Sequence, residues 1–103
     1  MIYNTFVYTI ADMKFEWDEE KRKTNLEKHS VDFAVAHELW GLPMIVIEDD
    51  RQDYGEKRWV GVGLLKERVM VVVFALPRSH LIRIISFRKA NQREVRYYEQ
   101  ATS

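Results

Sequence analysis

The stretch KRWVGVGLLKERVMVVVFAL, Lys57 to Leu76, decides the fold. Two runs rich in valine, leucine and aromatic residues meet at a short charged break. The pattern predicts a β-hairpin with strands Lys57–Leu65 and Arg68–Leu76, turning at Lys66–Glu67. Within it, Val71-Val72-Val73-Phe74 is apolar on both alternating faces, the mark of a central strand covered on both sides. Working outward, Pro77 to His80 reads as a turn and Leu81 to Phe87 as a further strand. On the other side Met44 to Glu48 is apolar and β-branched. The result is a meander of about four antiparallel strands.

The flanks read as helix. Met13 to Trp17 alternates and suits a short strand, and Asp18 follows as a helix N-cap with Glu19 and Glu20 in the first turn. Between Glu19 and His29 the only aliphatic residue is Leu26, so this helix is expected to dock lightly. Its broad polar face carries Lys21, Asn25 and Lys28, with His29 beside them. A second helix is expected from Ser30 or Asp32 through Phe33, Val35, Ala36, Leu39 and Trp40, stopped by Gly41 and Pro43. Asn91 with Glu94 three residues on resembles a capping box for a last helix through Val95, Tyr97 and Tyr98. The order predicts a single α+β domain over residues 1–103, with helices against one face of the sheet.

Composition narrows the function. Hydrophobic residues make up 47% of the 103 and charged residues 31%, an ordinary globular balance. With no cysteine, a disulfide framework, a thiolate zinc site and a cysteine nucleophile are excluded. The longest apolar run, Val69 to Leu76, is far short of the roughly 20 residues that span a bilayer. Ile2 to Ile10 lacks the basic flank and cleavage site of a secretory signal, so a cytoplasmic protein without membrane partners is expected. Net charge is zero, but its distribution is uneven. Glu48 to Glu56 holds five acids and one base, whereas Arg83 to Arg96 holds five bases and one acid. A basic third can bind phosphate locally even in a neutral chain, although a solvated helix face gives the same pattern.

Three blocks of residues resemble a known family. Phe15-Glu16-Trp17-Asp18 with Lys21, Asn25, Lys28-His29 and Phe33 is similar to the opening signature of the BrnT toxins. Glu48-Asp49-Asp50, Gly55-Glu56-Lys57-Arg58 and Gly63 are similar to its middle. Arg83-Ile84-Ile85-Ser86-Phe87-Arg88-Lys89-Ala90, with Glu94 and Tyr98, is similar to its end. The likeness runs from Met13 to about Gln100. Ser30 stands where the family usually has Gly, and Phe87 where it usually has Ala. Met1 to Asp12 precede the family's usual start and read either as an added strand or as an upstream start codon.

The resemblance implies a RelE-like fold and metal-independent endoribonuclease activity, with no cofactor. It also implies a BrnA-like antitoxin of the ribbon-helix-helix, DNA-binding kind that holds the toxin in a hetero-oligomer. Metal-free RNA cleavage uses the 2′-hydroxyl as nucleophile, so it needs a proton acceptor and cations aimed at the phosphate. Arginine suits the second task, because its planar fork pairs with two oxygens and stays charged.

Arg58, Arg83 and Arg88 are the candidates for the phosphate and His29 for proton transfer, with Lys21, Lys28, Lys89 and Arg93 as further RNA contacts. Each has a plainer alternative: His29 complements a helix dipole, Arg58 pairs with Glu56, Arg83 sits in an ion pair, and Glu94 caps a helix or holds an arginine. His37 and His80 carry no motif, and no metal site is expected. In a regular strand Arg83 and Arg88 point to opposite faces, so they share a site only if the strand bulges near Ile85–Ser86. A non-catalytic protein- or DNA-binding module, or a toxin that has lost activity, is the alternative reading.

Overall fold

A computed structural model of the chain describes residues 13–103, and the question of an added strand in Met1 to Asp12 lies outside the described residues. Among the described residues five strands form one sheet: β1 (Lys14–Trp17), β2 (Ile45–Asp49), β3 (Arg58–Leu65), β4 (Arg68–Arg78) and β5 (Leu81–Lys89), in the order β1-β5-β4-β3-β2. Strands β2 to β5 make the expected antiparallel meander, and β1 lies parallel to β5. Lys66 and Glu67 form the β3–β4 turn with φ of 48° and 70°. Positive φ at both positions matches the turn to the twist of the strands. β4 is central, as its apolar run predicts. It continues through Pro77 to Arg78, past the expected end, because the β4–β5 ladder is irregular there and makes no demand on the missing proline N–H.

Helices α1 (Glu19–His29) and α2 (Gln92–Thr102) start where their caps predict. The Asp18 carboxylate accepts from the Glu20 and Lys21 N–H groups at 2.8 and 3.3 Å. Asn91 and Glu94 make a reciprocal capping box. The expected second helix is present but is a 3-10 helix, Phe33–Gly41, capped by Asp32. At three residues per turn Phe33, Ala36 and Leu39 fall in one line, and all three are buried.

The helices do not share one face. α1 and the 3-10 helix lie with a core built on Phe33, Leu39, Met70, Val72, Phe74, Ile82, Ile84 and Phe87. The α2 residues Val95, Tyr97 and Tyr98 pack on the other face, against Ile45, Val62, Val69 and Val71. Alternation along β4 separates the two layers. Val73, on the α2 side, is only half-buried, because α2 covers one end of that face and leaves the other open.

α1 also docks differently from expectation. Asn25 is buried and Leu26 is exposed, the reverse of the sequence reading. The cause is the edge of β5. β1 pairs with Leu81 to Ile84 only, and beyond it the Asn25 amide takes the place of a strand. It accepts from the Phe87 N–H (3.2 Å) and donates to the carbonyls of Phe87 (2.7 Å) and Val31 (3.1 Å).

Ser30 ends α1 in the left-handed region, φ 59° and ψ 27°, and its N–H closes on the Leu26 carbonyl at 2.8 Å. Glycine adopts this conformation without the Cβ penalty that serine carries here. Ser30→Gly is expected to stabilise the fold by about 0.5–1 kcal/mol, less than the full strain because glycine also loosens the unfolded chain. Urea denaturation checks this, and a lower midpoint would refute it.

Candidate active site

The β5 strand carries the bulge that a shared site needs. Val73 pairs with Ser86 and Phe74 with Ile84, so Ile85 is an extra residue. Ile84 and Phe87, three apart, therefore both enter the same core. By the same shift Arg83 and Arg88 come to lie together on the opposite, α2-bearing face.

Pairing then builds a charged row across that face. Glu16 of β1 stands beside Arg83 of β5, Arg83 beside Ala75 of β4, Ala75 beside Arg58 of β3, and Arg58 beside Asp49 of β2. Between the two arginines the small Ala75 fills little of the space. Glu56, in the loop before β3, joins them from above. Arg83 donates from Nε to Glu16 Oε2 at 2.6 Å and from Nη1 to Glu56 Oε1 at 3.3 Å. Arg58 Nε lies 3.5 Å from Glu56 Oε2. The hydrogen bond that Arg83 donates to Glu16 raises the Arg83 pKa further above its ordinary value, so its charge is permanent.

Arg58 is the better enclosed of the pair. Its guanidinium carbon stacks 4.2 Å from the Tyr54 ring centroid. Its Nε is buried and has no hydrogen-bond partner, an unusual state for a buried donor. The acid nearest in the row, Asp49, is taken. Its buried carboxylate accepts from Arg51 Nε and Nη2 at 2.7 and 2.9 Å and from the Tyr54 hydroxyl at 3.3 Å. Those bonds, Arg51's first, hold Asp49 below the usual carboxylate range. Asp49 thus fixes Tyr54, and Tyr54 props Arg58.

Arg88 is committed elsewhere. It makes a two-pronged pair with Glu94, at 2.9 and 2.8 Å, which ties β5 to the start of α2. That pair, Arg88's hydrogen bond first, lowers the Glu94 pKa. His29 is half-buried in the last turn of α1. Among the described residues no hydrogen bond, ion pair or ring contact links it to Arg58 or Arg83. Lys21 and Lys28 are exposed on α1, Lys89 is exposed at the end of β5, and Arg93 is exposed on α2. His37 Nδ1 is engaged with the Ala34 carbonyl. No three His, Asp or Glu side chains converge as metal ligands among the described residues.

The structure adds Glu16, Tyr54 and Asp49 to the site. Glu16 had a signal, since it alternates between two aromatic residues that go to the core. Tyr54 had none, because it acts from a loop whose path the sequence does not reveal.

Residues 17–94 match the sequence profile described as the ribonuclease toxin BrnT of type II toxin–antitoxin systems. The chain belongs to the BrnT family. A crystal structure of the Brucella abortus ribonuclease toxin BrnT superposes with a TM-score of 0.64 at 32% identity, covering 78% of this chain and 99% of that one. No curated protein matches the chain. The arginine row draws on three separate stretches of the chain, Glu16 from β1, Asp49, Glu56 and Arg58 from β2 to β3, and Arg83 from β5, and all but Glu16 fall within the matched residues. No helix among the described residues is long and apolar enough to cross a membrane.

Proposed function

We propose that this BrnT chain is the toxin of a type II toxin–antitoxin pair and cuts RNA without a metal ion. The observation that carries the reading is the pair Arg58 and Arg83, brought by register to either side of Ala75 on one sheet face and joined through Glu56, with Arg83 partly exposed to solvent. A phosphate that replaces the Glu56 carboxylate between the two side chains pairs with both guanidinium groups. As the 2′-oxygen attacks phosphorus, negative charge grows on the non-bridging oxygens, and two fixed cations stabilise it more than the starting diester. In this reading Glu56, which touches both arginines, accepts the 2′-hydroxyl proton once phosphate takes over its contacts. The P–O5′ bond then breaks, leaving a 2′,3′-cyclic phosphate, and the departing 5′-oxygen is protonated by the Glu56 carboxyl or by water. Glu16 holds Arg83 in position, and Arg88 orients α2.

His29, Lys21 and Lys28 extend the reading along α1, and Lys89 and Arg93 along the far end of β5 and α2. They serve a longer RNA rather than the reacting phosphate. The partner in this reading is a ribbon-helix-helix antitoxin of the BrnA kind, acting in the cytoplasm, and the basic residues around α2 offer a docking surface to acidic side chains of that partner.

Purified protein is expected to cleave RNA in EDTA at the rate seen with magnesium, since the arginines supply the charge a metal would. Loss of activity on chelation, restored by magnesium or manganese, would overturn the metal-free mechanism. His29→Ala in the same assay is expected to keep the cleavage rate on a short substrate, and a large loss there would return histidine to the proton transfer. The competing reading, a non-catalytic binding module, predicts that the protein binds RNA or DNA through the same arginines and leaves it uncut in this assay.

A further inference from the structure

Asp49 and Arg58 are ladder partners, directly opposite each other on β2 and β3 with their side chains on one face. Cross-strand neighbours of opposite charge stand about 5 Å apart at Cβ and ordinarily pair. These two do not. Among the described residues Arg58 has Glu56 as its ion-pair partner, and its Nε donates no hydrogen bond. The Asp49 carboxylate, only 1% exposed, turns instead to the loop that follows it. Arg51 closes a two-pronged fork on it, at 2.7 Å from Nε and 2.9 Å from Nη2, and the Tyr54 hydroxyl donates a third bond at 3.3 Å. Arg51 is two residues along the chain, so the fork costs little loop entropy. Packing does not explain its place, because its side chain is 74% exposed.

The two acids near Arg58 differ in a way that matters to a ligand. Glu56 is 35% exposed and lies in a loop, so an incoming phosphate can displace it into water. Asp49 is buried and has nowhere to go. A carboxylate bonded to Arg58 from that position would hold the guanidinium fork against any phosphate. We infer that Arg51 is a positioning residue: by occupying Asp49 it keeps that buried carboxylate off Arg58 and leaves the Arg58 guanidinium for phosphate. The inference rests on the ribonuclease reading for what Arg58 binds, but not for the competition of two arginines over Asp49. With Arg51 removed, Arg58 is the cation opposite Asp49 in the ladder, and it turns from the Tyr54 ring to meet the carboxylate. Arg51 thus acts on RNA through Asp49 and Arg58, without a contact of its own.

The test compares the full chain as wild type, Arg51→Ala, Asp49→Asn and the double variant. RNA cleavage, thermal unfolding and the arginine Nε–H signals in NMR spectra are recorded on the same preparations, the spectra without RNA. In the wild-type background Arg51→Ala is expected to lower cleavage roughly tenfold, part of the ~100-fold for losing one charge contact outright. In the Asp49→Asn background no carboxylate is released, so the same change should cost less than about twofold, the non-additivity of a coupled pair. The Arg58 Nε–H signal should move in Arg51→Ala and keep its Asp49→Asn position in the double variant. Arg51→Ala should melt close to wild type, because Asp49 exchanges one cation for another. Equal losses in both backgrounds overturn the inference, for Arg51 then touches RNA itself. So does an Arg51→Ala chain that unfolds while the double variant stays folded, since its Asp49 is stranded rather than passed to Arg58. An unmoved Arg58 signal has the same force. A wild-type chain that cuts no RNA overturns the ribonuclease reading instead. If its Arg58 signal still responds to Arg51→Ala only where Asp49 is present, the competition stands.

Discussion

Arg83→Ala is expected to lower RNA cleavage on the order of 100-fold, the scale for losing one preorganised charge contact to a transition state, with little change in thermal stability. The second half of that expectation comes from the surroundings of Arg83. It carries two carboxylate partners, but its side chain is 42% exposed, and those of Glu16 and Glu56 are 40% and 35% exposed. Partners this open are solvated when the arginine goes, and exposed ion pairs contribute little to folding. Arg83→Lys should rescue little, because an ammonium cannot reproduce the fork that reaches two oxygens. Arg58→Ala gives the contrasting case. Its guanidinium is stacked on Tyr54 and its Nε is buried, so activity and stability fall together. Cleavage and thermal unfolding are measured on the same preparations. A large fall in the melting temperature of Arg83→Ala, with residual activity following the folded fraction, removes Arg83 from the reacting centre.

The sequence carried the parts of this fold that depend on local chemistry. Asp18 and Asn91 cap where their side chains can reach the first N–H groups of a helix. Lys66 and Glu67 turn where two strands must reverse, and the Val71–Phe74 run finds the centre of the sheet. Features set by distant partners were less legible. The polar face of α2 gives no hint of which side of the sheet its apolar stripe will find; that is settled by Ile45, Val62 and Val71. Asn25 looks like one more polar residue on a charged helix until the edge of β5 is placed beside it.

The arginine site shows the same division. Its cations were visible as residue types, and the need for a bulge followed from simple alternation. That Ile85 supplies the bulge, and that Arg83 and Arg58 face each other across Ala75, are matters of register between strands. Glu94 reads in the sequence as a helix cap or an arginine's partner and serves as both; that the arginine is Arg88 depends on where β5 ends.

Asn25→Ala is expected to destabilise the protein by about 2–5 kcal/mol, a large share of the whole stability of a domain this size. Asn25 is 7% exposed and makes three hydrogen bonds to main-chain groups that have no strand beside them. Alanine leaves the Phe87 N–H and the carbonyls of Phe87 and Val31 without that amide, and the cost of each buried orphan adds to the small cavity. The melting temperature should drop by at least about 10 °C, given the few degrees per kcal/mol expected at this length. Asn25→Asp separates hydrogen bonding from packing, since the two side chains have nearly the same shape. Ionised aspartate still accepts from the Phe87 N–H but has no proton for either carbonyl. Burial beside those oxygens raises its folded pKa above the unfolded value of about 3.9. A group raised on folding contributes its stability below the unfolded pKa and loses it as pH rises through the folded one. The deficit of Asn25→Asp should therefore be greatest near neutral pH and shrink as pH falls toward about 4, whereas that of Asn25→Ala should not follow this trend. Because Asn25 pins α1 to the strand that bears Arg83, both variants should lose cleavage in step with folding. Wild-type melting in Asn25→Ala would show that the amide does not hold the edge of the sheet.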